Sequence, residues 1–217
     1  MVQRIAILGL GDFGCELAKM LIRFRVEVIA VDKDVSRVQT ITPHVNKAMV
    51  ADITIRQALE EAGVDTVDVA VIAAAEPFEA TVLAAHHLRE LKVPLVIAKV
   101  ASADQAKILS LIGVTQTINP QLESAVRSAN LIAYPRVLDY MDLGDDHYVV
   151  RIEGIEAFAG QTVEDIRDKF KVDVILFRKS ASLEGFKRAL PDQTIAAGEE
   201  YILVGTRERL LDLRKVK

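Results

Sequence analysis

Arg4-Ile5-Ala6-Ile7-Leu8-Gly9-Leu10-Gly11-Asp12-Phe13-Gly14 decides the fold. A short aliphatic run meets the spacing Gly-x-Gly-x-x-Gly. A helical stretch then follows, Cys15–Phe24, with Leu17, Leu21 and Phe24 on one face. Strand, glycine turn and helix in that order form a dinucleotide-binding fingerprint. Each glycine has a mechanical task. Gly9 permits the tight turn, Gly11 removes a side chain where backbone would meet a pyrophosphate, and Gly14 lets the helix approach the strand. The N–H groups at the helix start attract phosphate.

Outward from this motif, strand and helix alternate. Ile5–Leu8, Val26–Val31, Ala48–Ala51, Val69–Ala74, Leu95–Val100 and Thr115–Ile118 are short, aliphatic and apolar on both faces, as buried parallel strands are. Helical patterns lie between them: Thr54–Glu61 with a threonine cap, Pro77–Leu91 with proline in its first turn, and Ala103–Ile112 closed by Gly113. Gln121–Ala133 follows Pro120, with Val126, Ala129 and Ile132 along one side. The order predicts an α/β fold: a Rossmann-like open parallel sheet with helices on both faces.

The texture changes after Tyr134-Pro135. Tyr148–Ile152 alternates apolar and polar, Val163–Phe170 reads as a short helix, and Asp173–Arg178 as a strand before a polar turn. A short strand or turn is expected between Leu190-Pro191-Asp192 and Gly198-Glu199-Glu200; Tyr201–Val204 and Glu208–Leu213 close the chain as strand and helix. This predicts a small C-terminal α+β domain. The expected division is 1–134, a linker over 135–143, and 144–217, with Gly144-Asp145-Asp146 marking the boundary.

Composition narrows the function. A hydrophobic content of 51% fills real cores, and 5% aromatic makes them aliphatic. A net charge of −4 lacks the basic face that nucleic-acid binding needs. The lone Cys15 excludes an internal disulfide and a cysteine zinc pair; beside Gly14 it reads as a small packing residue. Val2-Gln3-Arg4 leads straight into a strand, so no secretory leader is read. No apolar run approaches the roughly 18 residues of a membrane span. A soluble, cytoplasmic protein is the expectation.

Asp32, about 20 residues past the motif and just after a strand, suits the ribose hydroxyls and disfavours a 2′-phosphate. The alternative is a cap for the helix starting at Val35, for which Asp34 competes. Asp12 is discordant: a carboxylate suits a helix N-terminus but repels a terminal phosphate. Asp52-Ile53-Thr54 ends the third strand, as ligand contact or N-cap. Lys99 ends the fifth, where it either meets phosphate or is a solvated rim lysine. Phe13, Lys33 and Ala73-Ala74 complete the cofactor-binding candidates, and Glu123, one turn into the helix after Pro120, either faces the same crevice or favours the helix dipole. His86-His87 are adjacent in a helix and so diverge, which speaks against a metal site there. No residue set supplies a nucleophile, acid and base, so the chain reads as a ligand sensor. The alternative is a small NAD-dependent oxidoreductase with Lys99 as proton donor.

The ordered set Gly9–Gly14, Val31-Asp32, Ala51-Asp52-Ile53-Thr54, Ile97-Ala98-Lys99 and Ile118-Asn119-Pro120 resembles the N-terminal domain of RCK (regulator of potassium conductance) proteins. Val137–Gly144 resembles that family's link into its C-terminal domain. Ala159-Gly160-Gln161-Thr162, Leu190-Pro191-Asp192 and Ala197-Gly198-Glu199 resemble the C-terminal domain itself. The pattern is most similar to the TrkA-type cytosolic regulatory subunits of Trk/Ktr potassium uptake systems. That resemblance implies a homo-oligomeric gating ring, often of eight subunits, built from dimers. The ring would lie against the inner face of the cell membrane beneath a potassium-translocating subunit. It also implies regulation by NAD(H), ADP or ATP, a divalent cation in ATP-bound rings, and in some members cyclic di-AMP at the C-terminal domain, where Ile175 and Pro191 are generic. Two positions depart from the pattern. Asp12 stands where Ktr-type members usually carry an arginine that reaches the γ-phosphate, and Gln121 stands where a cation-linked glutamate is frequent. Against that pattern Glu123, two residues on, is the candidate metal ligand in place of the missing carboxylate, although a helix turns it by roughly 200°. Both departures count against ATP-specific binding and leave the ribose and pyrophosphate contacts intact.

Overall fold

A computed structural model describes residues 3–74, 76–134, 136–154, 156–179 and 184–213. The chain falls into two compact units, 1–123 and 124–217. The first runs β1 (Arg4–Leu8), α1 (Asp12–Arg23), β2 (Glu27–Asp32), α2 (Val35–Ile41), β3 (Lys47–Val50), α3 (Arg56–Ala62), β4 (Val69–Ile72), α4 (Phe78–Glu90), β5 (Leu95–Lys99), α5 (Ala103–Ile112) and β6 (Gln116–Ile118). Its six strands form a parallel sheet in the order β3-β2-β1-β4-β5-β6.

The unbroken apolar strands are explained by two cores. Side chains alternate across a strand, so Ala6, Leu8, Ile29, Val31, Ala70 and Ile72 enter one core. Ile5, Ile7, Val28, Ala30, Val69 and Val71 enter the other. Both faces must be apolar because helices cover both.

Element edges shift for local reasons. α1 starts at Asp12 rather than Cys15, with Gly11 as its N-cap. β4 stops at Ile72 because the N–H groups of Ala73 and Ala74 both turn to the Leu8 carbonyl, at 2.8 and 3.2 Å. The expected threonine cap at Thr54 is not a cap. Asp52 Oδ1 accepts from the Thr54 N–H (2.9 Å) and hydroxyl (2.7 Å), which holds Thr54 in a turn and delays α3 to Arg56. α5 is as its sequence indicates: Ser102 accepts from the Gln105 N–H, and Gly113 takes the left-handed conformation (φ +107°) that closes the helix.

α6 (Pro120–Ala133) follows β6. Beyond it come β7 (Val137–Gly144), β8 (His147–Glu153), α7 (Val163–Phe170), β9 (Asp173–Lys179), β10 (Lys187–Arg188), β11 (Glu199–Thr206) and α8 (Arg207–Asp212). The strands make an antiparallel sheet in the order β10-β9-β11-β8-β7. The expected linker is corrected here. Most of 135–143 is strand β7, paired with β8, while Pro135 lies outside the described residues. Gly144-Asp145-Asp146 is no boundary but the turn of this hairpin. Asp145 and Asp146 both have positive φ (49° and 59°), the requirement of a two-residue hairpin turn, which aspartate tolerates.

The core of this unit gathers Val150, Ile152, Phe158, Ile166, Val172, Val174, Tyr201 and Leu203. α7 opens with a reciprocal cap: Thr162 accepts from the Asp165 N–H at 3.1 Å, and Asp165 accepts from the Thr162 N–H at 2.9 Å. The expected element near 192–198 reduces to one bridge, Thr162 to Thr194. The polar turn after β9 falls largely on 180–183, outside the described residues, as does the lead-in residue Val2.

Candidate functional site

Because β1 to β6 are parallel, their carboxyl ends share one edge. Gly9, Asp32, Asp52, Ala73-Ala74 and Lys99 follow or end β1 to β5 there. In open α/β sheets a ligand binds at this edge, where strand order reverses. Here the reversal falls at β1, flanked by β2 and β4.

The three glycines have three different reasons. Gly9 has φ +100°, and a Cβ on it would stand 2.6 Å from the Ala74 nitrogen. Both the turn and the neighbouring loop therefore exclude a side chain. A Cβ on Gly14 would collide with the Gly9 carbonyl oxygen and stand 3.2 Å from the Ala73 Cβ, so Gly14 sets how close α1 comes to the sheet. Gly11 is different: among the described residues, a Cβ there would meet nothing within 4 Å. No steric contact with the described residues requires this glycine. It leaves open space directly at the N-terminus of α1, whose leading N–H groups favour an anion.

Asp32 is buried, at 6% exposure, and its carboxylate is engaged on both oxygens. Oδ2 accepts from the Leu10 N–H at 2.6 Å, and Oδ1 from the Asp34 N–H at 2.9 Å. Arg37 Nη1 lies 3.6 Å from Oδ2. Asp32 thus ties the glycine loop to the end of β2. The cap of α2 belongs to Asp34, which accepts from the Ser36 and Arg37 N–H groups. Those bonds, led by the Ser36 hydroxyl, hold the Asp34 carboxyl below its usual range. The loop brace by Asp32 and the approach of Arg37 were not read from sequence. Spacing hints at Arg37, one turn beyond Asp34 on the same helix face.

The other candidates divide. The Asp52 carboxyl is held below its usual range by the Thr54 hydroxyl and N–H. Ile53 points into the core and offers a ligand only its backbone. Lys33 is exposed. Ala73 is buried, and the Ala74 carbonyl accepts from the Thr81 hydroxyl at 3.1 Å. Lys99 Nζ lies 5.8 Å from the centre of the Phe13 ring, so two candidates from different elements meet as a cation over an aromatic face. Asp12 is exposed in the first turn of α1. Glu123 is exposed in the first turn of α6 and joins no group of three or more potential metal ligands among the described residues. Cys15 donates its thiol to the Leu10 carbonyl (3.2 Å), and burial pushes its pKa up, consistent with packing rather than reactivity.

Residues 5–120 match the TrkA-N domain. The chain belongs to the TrkA-N domain family. It is 31% identical over 208 residues to the Ktr system potassium uptake protein C of Bacillus subtilis, covering 95% of this chain and 93% of that one. The GsuK channel superposes on the whole TrkA-N chain with a TM-score of 0.68 at 16% identity. The GsuK channel bound to NAD superposes on 99% with a TM-score of 0.54 at 21% identity. The TrkA-N chain spans only 39% and 38% of those channel chains, and the likeness establishes the fold. The curated relative is a potassium uptake protein, and the oxidoreductase alternative is set aside. Among the described residues no helix is long and apolar enough to cross a membrane.

Proposed function

We propose that this protein is a nucleotide-sensing regulatory subunit of a membrane potassium-uptake system. Gly11 carries the proposal. It is open to solvent space, needed by no internal packing, and placed at a helix N-terminus braced by Asp32. A diphosphate bridge fits that space, with the ribose toward the β2 end. The uptake relative of similar length and the NAD-bound channel with the same fold support it. NAD(H) and ADP suit the site better than ATP, because Asp12, exposed in the first turn of α1, would repel a nearby terminal phosphate. The protein acts at the cytoplasmic face of the membrane as a homo-oligomer, dimers assembling into a ring of eight. Nucleotide regulates it only by binding one ring shape better than another. A divalent cation at Glu123 would need further ligands beyond those described, and no step is routed through it. Cyclic di-AMP at the C-terminal domain has only exposed Ile175 and Pro191 in its favour.

Isothermal titration with ATP, ADP, NAD and NADH, with and without magnesium, tests the site. Tight NAD(H) or ADP binding with weak ATP binding is expected. Preferential ATP binding would refute the role given to Asp12. Absence of binding by all four would refute nucleotide sensing at this edge.

A further inference from the structure

His86 and His87 diverge on α4, yet Glu90, one turn on, reaches both. His86 Nε2 lies 3.5 Å from Glu90 Oε1, and His87 Nδ1 lies 3.5 Å from Glu90 Oε2. The three potential ligand atoms are all within 4.8 Å of one another.

The protonation of His87 is set from outside α4. Its Nε2 is 3.0 Å from the Thr54 carbonyl oxygen, which only accepts, so Nε2 carries the hydrogen. In the neutral ring Nδ1 then bears a lone pair. That atom is buried, has no hydrogen-bond partner among the described residues, and faces a carboxylate. A cation between these two electron-rich atoms would relieve their repulsion. Ligands on a tetrahedral zinc ion, each bonded at about 2.0–2.1 Å, stand about 3.3 Å apart, so binding would draw closer three atoms that now lie within 4.8 Å of one another. A metal-bound histidine also ordinarily donates its other ring N–H to a carbonyl or carboxylate, and Thr54 supplies that acceptor.

We propose that His86 Nε2, His87 Nδ1 and the Glu90 carboxylate form a three-ligand site for a zinc-type divalent transition metal, with water in the fourth position. His86 and Glu90 are 45% and 42% exposed, which gives the ion a path of entry. Two imidazoles and one carboxylate select zinc, cobalt or nickel over magnesium or calcium. Arg56 is the opposing charge. Its Nε lies 4.0 Å from Glu90 Oε2, but its Nη2 is committed to Glu60 at 2.8 Å. Its charge lowers the affinity for an ion at this site. The site is independent of the nucleotide proposal and stands if that one fails.

The test uses tag-free, chelator-treated full-length protein titrated with zinc by calorimetry and with cobalt(II) by visible absorption. One ion per chain and the intense absorption of tetrahedral cobalt are expected. His86→Ala, His87→Ala and Glu90→Gln should each weaken binding about tenfold or more, whereas His147→Ala should not. Circular dichroism checks folding; if the half-buried His87 variant fails to fold, the two exposed variants decide. Absence of binding by the unaltered chain, or unchanged affinity in His86→Ala and Glu90→Gln, overturns the proposal.

Discussion

Replacing Asp32 by alanine separates a structural aspartate from one that only awaits a ligand. In the absence of nucleotide, the variant strands the buried Leu10 N–H, which now donates to Oδ2 at 2.6 Å, and frees the Asp34 N–H. A hydrogen bond to a charged group contributes about 1.5–3 kcal/mol. Leu10 loses its full share, while water reaches the half-buried Asp34 N–H and offsets most of that loss. Arg37 is half-exposed at 3.6 Å and adds little. The loss comes to about 3 kcal/mol. With a urea m-value of about 2 kcal/mol/M the midpoint falls by about 1.5 M. Asp32→Asn, which keeps one acceptor oxygen, should fall by about half as much. All four tyrosines, at 134, 140, 148 and 201, lie in the second unit, and the chain has no tryptophan. Tyrosine fluorescence therefore follows the second unit, while far-UV circular dichroism follows both. The shift should appear in the dichroism transition and not in the fluorescence. A ribose ligand with no structural duty would leave apo stability within about 0.5 kcal/mol of the parent. That result would refute the brace.

The glycines should split by reason. Gly11→Ala should leave the urea midpoint nearly unchanged and weaken nucleotide binding in calorimetry, whereas Gly9→Ala should cost several kcal/mol, about 1–2 of it from the left-handed backbone alone. Equal destabilisation by both would contradict the open space over Gly11. Asp12→Arg should raise ATP affinity more than ADP affinity in parallel titrations; equal gains would remove Asp12 from selectivity. In the second unit, burial raises the pKa of Glu200, but hydrogen bonds from Arg178 and Arg151 outweigh it and hold the carboxyl below its usual range. A depressed folded-state pKa means that the contribution is present above the unfolded value, about 4.3, and is lost as pH falls through the folded value. The tyrosine-reported urea midpoint should drop over that acid range in the parent and drop less in Glu200→Gln.

The parallel sheet was legible because its signals are local. Runs such as Ile5–Leu8 and Val69–Ile72 are apolar on both faces only where helices cover both, and the glycine spacing reports a backbone that must turn and be approached. The second unit was less legible. β7 is exposed along half its length and carries Asp139 and Asp142, so it lacks the apolar alternation that marks a strand. It is a strand because β8 offers it an edge, with a turn that depends on two aspartates at positive φ.

Sequence by itself determined the fold class, the turn glycines and the candidate edge, since these depend on backbone geometry and hydrophobic period within a few residues. Tertiary structure decided which side chains were already engaged. Asp32 meets Leu10 across 22 residues, His87 meets Thr54 across 33, and Lys99 of β5 meets Phe13 of α1. No period or spacing encodes such pairs, because they arise only when separate elements are packed against one another and each buried polar atom must find a partner.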